Sequence, residues 1–181
     1  IIRNVSVNNI VALGECGRSP LCVSYHMRCI KYWCKLLRMS ETRYPRNCYM
    51  MLKSLDDVGR TNWATHVKQL LFEYGFGYVW LSQEVGNEMI FIRTFKQRLI
   101  DCTTQVWHDN VFNSSRCDFY KLFKSQLNPE NYLSIDMPFY YRKALARFRC
   151  SSHKLKIEVG RHTNIPRENI ICKRWSYCDR K

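Results

Sequence analysis

The chain has 181 residues, 46% of them hydrophobic, and its five Trp, eleven Tyr and nine Phe supply enough apolar bulk for a packed core. That composition excludes an intrinsically disordered protein, and no apolar run approaches the ~18 residues of a membrane span. The formal charge is +14 and unevenly placed: +5 over residues 1–40, zero over 41–137 and +9 over 138–181. A balanced body with two basic ends points to a polyanionic partner, because each cation that neutralises a phosphate releases condensed counterions.

The elements follow in chain order. Gly14-Glu15-Cys16-Gly17-Arg18 is expected to bend the chain. Ser19-Pro20 predicts an N-cap followed by proline at the first helical position. Val23, Met27, Ile30, Cys34 and Leu37 then recur three and four apart, as one face of a helix does. Arg28, Lys31, Lys35 and Arg38 form a second, basic stripe, which is either a phosphate-facing surface or the wet side of that helix. A second helix starts near Pro45, uses Cys48, Leu52 and Leu55, and ends at Gly59. A third uses Trp63, Val67, Leu70 and Tyr74 and stops at Gly75, a residue suited to positive φ. Phe76-Gly77-Tyr78-Val79-Trp80 reads as a short helix or a brief extended piece. Asn87 caps the longest helix, through Ile92, Phe95, Leu99, Cys102 and Val106. Another runs through Phe119, Tyr120, Phe123 and Leu127 to Asn128-Pro129, and Asp136 caps a last one bearing Tyr141, Ala144, Leu145 and Phe148. Beyond Cys150, Leu155, Ile157 and Val159 alternate as a strand would, while Ser152 and Gly160 equally bracket a turn or two of helix.

Short connections between amphipathic helices predict an all-α fold: a compact bundle of about six to seven helices with a basic, partly irregular C-terminal tail. The expected division is an N-terminal segment 1–18, a helical domain 19–150 and a tail 151–181. The ten cysteines lack paired spacing and, with no secretory leader visible, read as reduced thiols of an intracellular protein, cytoplasmic or nuclear.

Catalytic signals are weak. A two-metal site needs a strand turn that presents both carboxylates, plus a third carboxylate elsewhere, whereas Asp56-Asp57 sits at the end of a helical pattern, just before Gly59. Gly75-Phe76-Gly77 is too short and too aromatic to cradle a phosphate. His26, His66, His108, His153 and His162 are dispersed, and no Ser or Cys stands in a nucleophile motif. The expectation is a protein that is not an enzyme and takes no cofactor. A zinc site is expected to be absent too: Trp175 occupies the place where a Cys-x-x-Cys starting at Cys172 would put its second thiolate, which leaves Cys172 as the remnant of a knuckle.

The basic ends supply the candidate nucleic-acid-binding residues. They are Arg28, Lys31, Lys35 and Arg38 in the first stripe, then Arg142, Arg147, Arg149, Lys154, Arg161, His162 and Arg167 towards the C-terminus. Tyr140, Tyr141, Phe148 and Trp175 are interleaved with them. Cations on phosphates and rings on bases is how single strands are held without sequence reading. Tyr141 and Phe148, at helical spacing with Ala144 and Leu145, are expected to be core residues. The partner is therefore RNA or DNA, held through phosphate contacts. The alternative is a helical protein-interaction module without nucleic-acid binding.

Several of these segments together resemble the region downstream of the polymerase core in invertebrate non-LTR, LINE-type, retrotransposon proteins. They are Leu13-Gly14-Glu15 with Gly17-Arg18 and Pro20-Leu21, Lys31-Tyr32-Trp33, Asn62-Trp63-Ala64, and Gly75-Phe76-Gly77-Tyr78-Val79-Trp80. Further on come Phe148-Arg149 with Ser151, His153 and Leu155, then Gly160-Arg161-His162 with Ile165-Pro166-Arg167. The resemblance spans roughly residues 10–174. It implies a helical accessory region of an RNA-directed DNA polymerase, in a truncated or decayed copy, that helps to hold template RNA or target DNA. It also implies an upstream polymerase domain as a partner, from which segment 1–18 would continue. The polymerase and endonuclease motifs are not in this sequence, so the family's enzymatic activity does not carry over. In the family the arginine-rich segment leads into a zinc knuckle; this chain matches its first cysteine at Cys172 and departs at Trp175.

Overall fold

The computed structural model describes residues 9–150. Among them are seven α-helices and no strand: α1 (Asn9–Cys16), α2 (Leu21–Leu37), α3 (Tyr44–Asp57), α4 (Trp63–Glu73), α5 (Gly77–Ser82), α6 (Glu88–Asn113) and α7 (Phe139–Arg149). Short 3-10 turns stand at Ser115–Cys117, Tyr120–Leu122 and Asn131–Leu133. The fold is all-α. None of these helices is long and apolar enough to cross a membrane. Lys154, Arg161, His162, Arg167, Cys172 and the undecided stretch Leu155–Val159 lie outside the described residues.

The described residues group differently from the expected 19–150 body. Residues 19–105 form one compact unit, and residues 9–18 belong with 106–150 in a second.

In the unit of residues 19–105, α2 to α5 and the first part of α6 enclose Ile30, Trp33 and Cys34 of α2, Tyr49 of α3, and Val67 and Leu71 of α4. Val79 and Trp80 of α5 and Phe95 and Leu99 of α6 complete that core. Fully burying side chains of this size stabilises by about 1.5–3 kcal/mol each, before chain entropy is set against it. α4 is fixed at its start by a capping box. Asn62 Oδ1 accepts the Ala64 N–H at 2.7 Å and Thr65 Oγ1 accepts the Asn62 N–H at 3.0 Å. Asn62 Nδ2 also donates to the Leu52 carbonyl at 2.9 Å, which ties α4 to α3. Gly75, at φ +84°, ends α4, and the Phe76 N–H turns back to the Leu71 carbonyl at 2.7 Å. Phe76–Trp80 therefore leads straight into a helix, and the extended alternative is not what forms.

Three expectations shift here. α2 starts one residue later than Ser19-Pro20 predicts, with Pro20 itself at the cap. On α3 the buried positions are Tyr49 and Asp56, not Cys48 and Leu55, which are exposed. The reason is that Tyr49 offers more area than Cys48 and its hydroxyl receives the Trp33 Nε1–H at 2.9 Å, so the ring turns inward. α6 is capped at Asn87, whose Oδ1 accepts the Ile90 N–H at 3.2 Å. Its buried line is Phe91, Phe95, Leu99, Trp107 and Val111, while Val106 is exposed.

In the second unit, Val11 of α1, Trp107 and Val111 of α6, and Cys117 and Tyr120 form the core. Gly14 does not bend the chain: it lies within α1, and a Cβ there would meet Tyr120 Oη at 2.5 Å and Trp107 Cζ2 at 2.8 Å. The bend comes at Gly17, at φ +58°. The helix expected over Phe119–Leu127 is replaced by a single 3-10 turn, Tyr120–Leu122. Cys117, at the end of the preceding 3-10 turn, and Tyr120 are both buried. The ammonium of Lys124, 2% exposed, needs acceptors that a continuing helix would not supply. It finds Asn128 O at 2.6 Å and Glu130 Oε1 at 2.5 Å. α7 is capped at Pro138, not Asp136, and buries none of its residues, so Tyr141 and Phe148 are exposed and not core.

Candidate nucleic-acid interface

The basic stripe on α2 is an exposed face. Arg28, Lys31, Lys35 and Arg38 all lie on the solvent side of the helix whose opposite side carries Ile30, Trp33 and Cys34. The first turns of α6 face the same stripe. Between them runs a groove of about 610 Å³ lined by Met27, Lys31, Lys35, Arg38, Glu88, Met89, Ile92, Arg93 and Lys96. Its floor is aliphatic and thioether: Met27 is buried, Ile92 half-buried and Met89 84% exposed at the mouth. Five cations stand around that floor against one carboxylate, Glu88. Arg38 holds Glu88, with Nε 2.7 Å from Oε2 and Nη2 3.2 Å from Oε1. Lys31, Lys35 and Arg38 span roughly 10 Å along the helix axis at 1.5 Å per residue.

Sequence periodicity alone missed Arg93, Lys96 and the methionines. The signal was present as cations three apart on α6, but residues 41–137 carry zero net charge, and a regional sum hides a local patch. The acids that cancel them lie elsewhere: Asp56 pairs with Lys68 at 3.0 Å and Asp57 with Lys53 at 3.2 Å. Asp56 and Asp57 thus go to two different lysines. The hydroxyl of Thr65 first, and Lys68 next, hold the Asp56 carboxyl below its usual range.

The remaining described candidates lie on α7. Arg147 is exposed on α7. Arg142 is half-buried, and its Nη2 donates to the Ile135 carbonyl at 2.7 Å. Arg149 is committed to protein carboxylates: its Nε lies 2.9 Å from Glu15 Oε2, its Nη2 2.7 Å from Glu130 Oε2, and its guanidinium 4.4 Å from the Phe123 ring centroid. Such a guanidinium is a fold contact and not a free phosphate ligand.

Other chemistry finds little support. Among the described residues no three His, Cys, Asp or Glu side chains gather as a metal site. Burial pushes the Cys34 and Cys150 thiols up to about 12, which keeps both protonated near neutral pH. His26 and His66 lie with ring centroids 5.9 Å apart, and His26 Nδ1 and His66 Nε2 are both enclosed without a hydrogen-bond partner. Burial first, and the neighbouring His66 second, lower the His26 pKa, against an opposing pull from Glu73. No family model, curated protein or solved structure matches the chain.

Proposed function

We propose that this chain is a non-catalytic, nucleic-acid-binding accessory region of a LINE-type retrotransposon protein. The polymerase parentage rests on the sequence resemblance alone. The nucleic-acid binding rests on one observation: Lys31, Lys35, Arg38, Arg93 and Lys96 surround a single groove that holds one carboxylate. Like charges crowded on two helices repel one another, and an incoming row of phosphates relieves that cost while releasing its own counterions.

Binding should weaken steeply with salt. Five phosphate contacts give a slope near −3.5 in log K against log salt for a single strand, so affinity falls about a hundredfold between roughly 50 and 200 mM. Filter binding by the full chain at those two concentrations tests this, together with a variant carrying Lys31→Gln, Lys35→Gln, Arg93→Gln and Lys96→Gln. Binding that ignores both salt and the four substitutions sinks the proposal. The second reading, a helical protein-interaction module, draws on α7, which buries nothing and exposes Phe139, Tyr140 and Tyr141. It gains if nucleic acid fails to bind.

A further inference from the structure

The groove has two chemistries, and any occupant must answer both. Its walls carry charge of one sign: Lys31, Lys35 and Arg38 from α2, Arg93 and Lys96 from α6. Its floor is Met27, Met89 and Ile92, with no aromatic ring and no neutral hydrogen-bonding side chain in the lining. Met89 stands 84% exposed at the mouth, apolar surface that water penalises until something covers it. A volume of about 610 Å³ is that of a site for small or narrow bodies.

A nucleic-acid duplex fits the walls but wastes the floor, because its base faces are stacked inside and its outer surface is sugar and phosphate. An unpaired strand exposes those faces. Thioether sulfur is polarizable and packs favourably against aromatic rings, so a methionine floor accepts bases without needing rings of its own. The missing neutral donors and acceptors leave nothing to read base edges, so occupancy should be indifferent to sequence.

We infer that this groove holds a single-stranded stretch of nucleic acid, phosphates along the two cationic walls and base faces over Met27, Met89 and Ile92. This rests on the nucleic-acid reading above and narrows it to one strand form and one groove. Arg38 enters the site by exchanging Glu88 for a phosphate. The remaining four cations form no ion pair among the described residues.

The test is fluorescence anisotropy on the full chain with oligo(U), oligo(dT) and an oligo(dA)–oligo(dT) duplex, each about 12 nucleotides long. The two single strands separate RNA from DNA as the source of the same chemistry. A labelled poly-glutamate of equal charge is the fourth probe. The expected result is at least about tenfold tighter binding of a single strand than of the duplex or the poly-glutamate. Met89→Ser, at a side chain too exposed to matter for folding, should weaken single-strand binding about two- to tenfold without changing the salt slope, since no charge is lost. Duplex binding as tight as single-strand binding, with the salt slope intact, overturns the inference and leaves the proposed function standing. So does an unchanged affinity in Met89→Ser, and poly-glutamate binding as tightly as the strands points instead to an acidic protein segment. Absence of salt-dependent binding to every nucleic-acid probe overturns both.

Discussion

Arg149 and Glu15 face each other as a two-point ion pair, Nε to Oε2 at 2.9 Å and Nη2 to Oε1 at 3.1 Å, joining α7 to α1 across 134 positions of sequence. Glu15 is almost wholly buried and also accepts the Tyr132 hydroxyl at 2.7 Å, so its charge is satisfied only while these partners stay in place. Removing the guanidinium leaves an uncompensated buried carboxylate, which typically costs about 3–5 kcal/mol. Arg149→Gln should therefore lower the urea midpoint sharply, and Arg147→Gln, at an exposed residue on the same helix, should hardly move it. Equal midpoints for the two variants would show that the pair carries no stability.

Tyr49 links a buried and a half-buried polar group, accepting from Trp33 Nε1 at 2.9 Å and donating to the Gln83 side chain. Tyr49→Phe keeps the ring and orphans both the indole N–H and the Gln83 oxygen. The expected loss is about 1–3 kcal/mol, read by thermal or urea unfolding. A cost near zero would mean that water takes over the partnership.

At Gly14 two effects have opposite signs. Alanine gains roughly 1 kcal/mol of helix propensity over glycine. Its Cβ, however, would sit 2.5 Å from Tyr120 Oη and 2.8 Å from Trp107 Cζ2, both fixed in the core. Overpacking of that kind costs about 1–3 kcal/mol, so Gly14→Ala should destabilise on balance. A stabilised Gly14→Ala variant would show that the two rings move aside.

The His26 pKa is lowered in the folded chain, chiefly by burial and then by His66. The unfolded state therefore binds the proton more readily, and stability is fully present above the ordinary histidine value of about 6.5. It is lost progressively as pH falls below that value towards the lowered folded pKa. Urea midpoints at pH about 7.5 and 5.5 should differ in that direction, and His26→Gln should flatten the difference. An equally steep profile in His26→Gln would assign the pH dependence to other groups.

Glu88 acts against its own groove by neutralising Arg38 at 2.7 Å. Glu88→Gln should tighten nucleic-acid binding, because Arg38 then reaches a phosphate without giving up an ion pair, while the salt slope stays near that of five phosphate contacts. The pair itself is partly exposed and worth about 1 kcal/mol or less, so folding should be little changed. Unchanged affinity would mean that Arg38 makes no phosphate contact.

Local chemistry made most of the helices legible. Asn62, Gly75, Asn87 and Gly59 mark their ends through side-chain caps or positive φ, and those signals act within a few residues of themselves. Faces were read less well. Cys48 and Tyr49 are neighbours on one helix, and the larger area of Tyr49 together with the indole N–H of Trp33, donated from α2, turns Tyr49 inward. Lys124 shows the same limit from the other side: its buried ammonium is compensated by acceptors on Asn128 and Glu130, which outweigh local helix preference.

For the candidate site, the sequence by itself determined the α2 stripe, because Arg28, Lys31, Lys35 and Arg38 follow helix periodicity on the side away from the apolar face. Tertiary structure alone decided which cations share a groove and which are already engaged. Arg93 and Lys96 join Lys31 and Lys35 because α6 lies beside α2, whereas Arg149 is withdrawn by Glu15, a residue it meets only once the chain has folded. Charge is a local property of sequence, but its availability depends on which opposite charge folding brings within a few ångströms.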